Sequence, residues 1–74
     1  MAKDKPMRDR VYKKIELVGV SSKSFEEAIE HAVAKAGETL SGLSWFEVKE
    51  FRGAIRDGKV SEYQATVMVS FEVK

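Results

Sequence analysis

LSWFEVKEFRGAIRDGKVSEYQATVMVSFEVK, residues 43–74, carries most of the information about the fold. Two runs rich in β-branched and aromatic residues flank Asp57-Gly58, a dipeptide that tolerates the positive φ of a two-residue hairpin turn. The runs, roughly 43–56 and 60–74, are each about twice the usual strand of about five or six residues. In the second run the odd positions Tyr63, Ala65, Val67, Val69, Phe71 and Val73 are apolar, while the even positions carry Glu62, Gln64, Thr66, Met68, Ser70 and Glu72. Successive strand side chains point to opposite faces, so the odd set is the core face and Gln64 points away from it.

The first run changes phase. Phe46 and Val48 are apolar on even numbers, Phe51 and Ile55 on odd ones. A phase change near Lys49-Glu50 implies a β-bulge, which inserts one residue and re-aims the side chains beyond it. With it, Phe46, Val48, Phe51 and Ile55 share the core face. Trp45, Glu47, Arg52 and Ala54 then share the other face with Gln64.

Outward from the hairpin, Val11 to Val20 (VYKKIELVGV) reads as a strand. Phe25, Ala28, Ile29, Ala32, Val33, Ala36 and Leu40 recur at spacings of three and four and draw one apolar helical stripe. Ser24 with Glu27 predicts a capping box, and Ser41-Gly42 ends the helix. Gly37 inside the stripe costs about 1 kcal/mol relative to Ala or marks a close contact. The fold class is therefore α+β, β-α-β-β, with one helix packed on one face of a three-stranded sheet. A crossover helix sets the first two strands parallel, and the third lies between them antiparallel to both, an antiparallel-type mixed sheet. So short a helix cannot roof strands this long. Residues 1–10, charged and holding the only proline, read as a flexible tail before a single domain at 11–74.

Composition narrows the function. A 74-residue chain has a marginal core, and without cysteine it has no disulfide, thiolate metal site or Cys nucleophile. Oligomerisation is the remaining common source of stability for so small a chain. A lone His31, on the polar side of the helix, reads as solvated and not as a metal ligand. A net charge of +1 lacks the basic field of a nucleic-acid binder. No apolar run could span a bilayer and no signal-peptide core is present, so the expected compartment is the cytosol. Gly53 to Lys59 imitates a phosphate loop, but Val60 replaces its Ser or Thr and a strand follows where a helix is required. No carboxylate pair or triad can be placed, so an enzyme is not expected. There remains the uncovered face, where an indole (Trp45), a guanidinium (Arg52) and an amide (Gln64) suit a flat ligand with polar edges.

VYKKIELVG at 11–19, the capped helix, the run L-x-W-F-E-V-K-E-F-R-G at 43–53, DGKV at 57–60 and EYQ at 62–64 together resemble the dodecins, over residues 11–74. The resemblance implies a small flavin-binding protein that assembles as a hollow homo-dodecamer. It stores and sequesters flavin, with rings sandwiched between symmetry-related tryptophans. It implies that Trp45 stacks on the isoalloxazine, Gln64 binds its polar edge, and Arg52 belongs to the flavin site. A Gln amide matches the acceptors and N–H donor of the ring edge, and a guanidinium suits the phosphate of FMN over riboflavin. Ser44, Val20 and Ser70 stand where relatives more often carry Asp, Thr and Gly. Glu72 stands where relatives that also bind coenzyme A are basic, which argues against that second ligand. The alternative is a ligand-free structural shell of the same fold. An RNA-binding module using Trp45 and Arg52 is the third reading, disfavoured by the near-neutral charge.

Overall fold

A computed structural model describes residues 9–74. The tail expected over residues 1–10 falls, for residues 1–8, outside the described residues. The order is β1 (Val11–Ser21), α1 (Phe25–Thr39), β2 (Leu43–Arg56) and β3 (Lys59–Val73). The sheet order is β1-β3-β2, with β3 antiparallel to both neighbours. This is the β-α-β-β topology that the sequence predicts. The hairpin turns through Asp57 (φ 54°) and Gly58 (φ 73°), so the phosphate-loop mimic is a hairpin tip.

The predicted bulge is present. Val48 pairs with Val67 and Glu50 with Thr66, which leaves Lys49 as the extra residue. Two further shifts fall at Leu43/Trp45 and Ala54/Ile55 and were not foreseen. Ser44 is the extra residue of the first, and it turns Leu43 back onto the helix side, where Leu43 packs against the core.

The helix begins as expected, with the Ser24 hydroxyl accepting from the Glu27 N–H at 3.0 Å. The return half of the box differs. Ser21, buried at the end of β1, donates to the Glu27 carboxylate at 2.8 Å and accepts from the backbone N–H groups of Lys23 and Ser24. A strand-end serine thus takes the capping role a Glu side chain usually fills. His31 is also tied down: its Nδ1 donates to the Val20 carbonyl at 2.8 Å, and Nε2 lies 3.7 Å from Glu27. The histidine read as solvated latches the helix to the end of β1.

The helix lies over β1 and β3. Gly19 makes this possible, because a Cβ there would stand 1.9 Å from the Ala28 carbonyl oxygen. The core is small: Ala28, Ala32 and Ala36 from the helix meet Ala65, Val67 and Val69 from β3, with Ile15 and Leu17 alongside. On the helix side of β2, Phe46, Phe51 and Ile55 remain 47%, 53% and 77% exposed. They face the helix side, as predicted, but the helix covers them only at its first residue, where the Phe25 ring lies 4.8 Å from that of Phe51. A groove of about 740 Å³ between α1 and β2 is lined by Phe25, Ile29, Val33, Phe46 and Phe51 among others. The Cα radius of gyration is 16.3 Å, against about 11 Å for a compact chain of this length.

Candidate functional site

The register arranges the helix-free face in rows. Lys14, Ser70 and Trp45 form one row, followed by Glu16, Met68 and Glu47, then Val18, Thr66 and Glu50, then Val20, Gln64 and Arg52. Trp45, Arg52 and Gln64 therefore do share the face the helix leaves open. Arg52 and Gln64 are direct cross-strand partners. Trp45 is not with them. It pairs with Ser70, six positions along β3 from Gln64, or about 20 Å at the rise of an extended strand.

Trp45 is 42% exposed and held by polar and aromatic neighbours. Its Nε1 donates to Glu47 Oε2 at 2.9 Å, and Lys14 Nζ donates to that same oxygen at 2.8 Å. These two bonds hold the Glu47 carboxyl below its ordinary pKa, the Lys14 bond contributing most. Trp45 and Glu47 are two residues apart on one strand, so period-two geometry puts them on one face. Lys14 reaches across β3 from β1. Tyr12, also on β1, lies against the indole with ring centroids 4.8 Å apart and planes tilted by 57°. Beneath this canopy Ser70 is fully buried and its hydroxyl has no hydrogen-bond partner.

At the other end, Gln64 Nε2 donates to Glu62 at 2.6 Å, which leaves the amide carbonyl to accept from a ligand N–H. Arg52 lies 3.8 Å from Glu50 and is exposed. Lys49, the bulge residue, reaches Glu16 at 3.3 Å. The polar partners Glu47, Lys14, Glu62 and Glu50 were not singled out by sequence reasoning. Glu47 was already placed on the face with Trp45, and its spacing from the tryptophan was the available signal.

With its N–H taken by Glu47, the indole has its π-surface left to offer a ligand. No group of three or more His, Cys, Asp or Glu that could hold a metal occurs among the described residues. No helix among them is long and apolar enough to cross a membrane.

Residues 11–74 match the family model described as Dodecin. The chain belongs to the dodecin family. A dodecin of Thermus thermophilus is 51% identical over 65 residues, 88% of this chain and 94% of that protein. A crystal structure from Thermus thermophilus superimposes with a TM-score of 0.85 at 50% identity, covering 89% of this chain and 97% of that one. A dodecin from Streptomyces coelicolor gives a TM-score of 0.88 at 37% identity, over 92% and 97% of the two chains. A calcium-chelating antigen of Mycobacterium tuberculosis, a calcium dodecin with a novel calcium-binding site, is more distant, at 32% identity and a TM-score of 0.76 over 86% and 91%. The dodecin fold explains the long hairpin and the single short helix together.

Proposed function

We propose that this chain binds a flavin, FMN or riboflavin, as stored and sequestered cargo within a cytosolic homo-dodecamer, and performs no reaction on it. The observation that carries this reading is the Trp45 indole. Its N–H is already bonded to Glu47, and its exposed ring lies on the same open face as Arg52 and Gln64. A ring stacked on an aromatic side chain gains about 1–3 kcal/mol where nucleobases are the measured case. Isoalloxazine is a broad, planar ring of that kind, and its edge alternates carbonyl acceptors with an N–H that Gln64 can complement.

The separation along the strand supports a site shared between copies. No single three-ring system reaches from Trp45 to Gln64 of one copy. In the homo-dodecamer the flavin rings stack between symmetry-related tryptophans, so the Gln64 amide and Arg52 guanidinium that edge a ring on Trp45 come from another copy. An isologous contact of this kind repeats every interaction on both sides of its two-fold axis, so each flavin pair is closed by a tryptophan from either copy. The exposed Phe46, Phe51 and Ile55 on the opposite side supply apolar surface for further copies.

Titrations of the full chain and three variants with FMN and with riboflavin test the reading. Trp45→Ala abolishes the quenching of flavin emission, Gln64→Ala weakens both flavins, and Arg52→Ala weakens FMN more than riboflavin. A Trp45→Ala protein that binds and quenches flavin like the parent overturns it. An assembly near twelve subunits with no flavin affinity in the parent identifies a structural shell instead.

A further inference from the structure

The hold on Trp45 deepens the flavin reading and rests on it. An exposed indole turns about two side-chain torsions, and ordering a mobile ring on binding subtracts from affinity. Trp45 is not free to turn. Tyr12 leans on the ring from β1, and the edge nitrogen is bonded to Glu47. Glu47 is in turn anchored by Lys14, which comes from β1 across the central strand. Ser70, the β3 residue between Lys14 and Trp45 in register, is small and fully buried, so the side chains of the outer strands close over it.

We propose that Glu47, anchored by Lys14, is the positioning residue for Trp45: it fixes the plane in which the indole meets the flavin and supplies negative charge at the indole N–H. The anion has a second effect besides orientation. A carboxylate accepting from Nε1–H raises the electron density of the ring and makes it a better electron donor to a stacked, electron-poor partner. A purely structural residue would leave that electron transfer unchanged. Glutamate is suited to both tasks. Its Oε2 accepts two charge-assisted or polar hydrogen bonds at 2.8 and 2.9 Å, whereas Gln keeps an acceptor for the indole but loses the ion pair with Lys14.

Trp45 is the only tryptophan, so intrinsic emission reports this ring alone. The test compares Glu47→Gln, Glu47→Ala and Lys14→Met in the full chain. Two quantities are read: the anisotropy of Trp45 emission without ligand, and FMN affinity together with the flavin emission that remains at saturation. Glu47→Ala is expected to lower the anisotropy, weaken FMN by about tenfold, the scale of one lost hydrogen bond to a charged acceptor, and leave brighter bound flavin. Glu47→Gln is expected to keep the anisotropy and most of the affinity but to quench less completely, and Lys14→Met to fall between the parent and Glu47→Ala. Unchanged anisotropy in a folded Glu47→Ala protein overturns the proposal, as do parental affinity and parental quenching in that variant. If the parent itself takes up no FMN, the flavin reading fails, and the anisotropy comparison still decides whether Glu47 holds the ring.

Discussion

The two outer strands of one sheet are treated very differently. β1 lies under the helix, with Gly19 against the Ala28 carbonyl and Ile15 and Leu17 packed on a core of alanines and valines. β2 carries larger apolar side chains, Phe46, Phe51 and Ile55, and leaves all three at least 47% exposed, with Trp45 on its other face at 42%. The protomer thus closes its own core with its smallest apolar residues and presents its largest ones outward. Burial stabilises roughly in proportion to apolar area removed from water, so these exposed rings add little to the stability of the single subunit. In this division β1 and the helix make the subunit, while β2 carries the surfaces that the proposed function assigns to assembly and ligand.

The largest effect should come from the β1 side. Gly19→Val places a Cβ inside the Ala28 carbonyl, which has no flexible side chain to give way. Loss of at least about 3 kcal/mol is expected, the upper end of overpacking costs, read as a lowered denaturation midpoint. On the β2 side the expectation reverses in kind. Phe51→Ser should leave the isolated fold within about 1 kcal/mol, the scale of its ring contact with Phe25. It should nevertheless eliminate the large species in size-exclusion chromatography with light scattering. An unchanged assembly would erase the contrast between the two strands.

A third test concerns pH. The Glu47 carboxyl sits below its ordinary value, so its hold on Trp45 is complete above the normal carboxylate range and is lost as pH falls through the lowered value. Trp45 emission should be flat from neutral pH down to about 5 and change only below the usual glutamate range near 4.3. Lys14, Glu16 and Lys49 also face this region, so Glu47→Gln is the control and should flatten the acid limb. The smallest expected effect is at Ser70. Its buried hydroxyl lacks a partner, so Ser70→Ala should stabilise by about 1 kcal/mol in a denaturant melt.

Much of this was legible in the sequence. The Asp57-Gly58 turn, the helical stripe and the odd-number face of β3 come from local patterns. The bulge at Lys49 was readable because apolar residues lie on both sides of it and change phase across it. The bulges at Ser44 and at Ser61, the β3 residue left unpaired opposite the Ala54/Ile55 step, were not, since each lies near a strand end with too few alternating residues beyond it to show the change. Patterning also assigned Phe46 and Phe51 to a face without revealing how far sideways the helix extends, because periodicity encodes direction and not coverage. Likewise Trp45, Arg52 and Gln64 were placed on one face correctly, but their separation emerges only with the antiparallel register. The His31 latch needed the path of β1 beneath the helix, which no local signal carries.

Everything proposed for the ligand face depends on Trp45 being a flavin-stacking surface. The most direct test titrates ligand-free protein with FMN while recording flavin and Trp45 emission together. Both are expected to be quenched in parallel and to saturate at micromolar flavin or below. Flavin emission that rises in proportion to added FMN, with Trp45 emission unchanged, would contradict the stacking role.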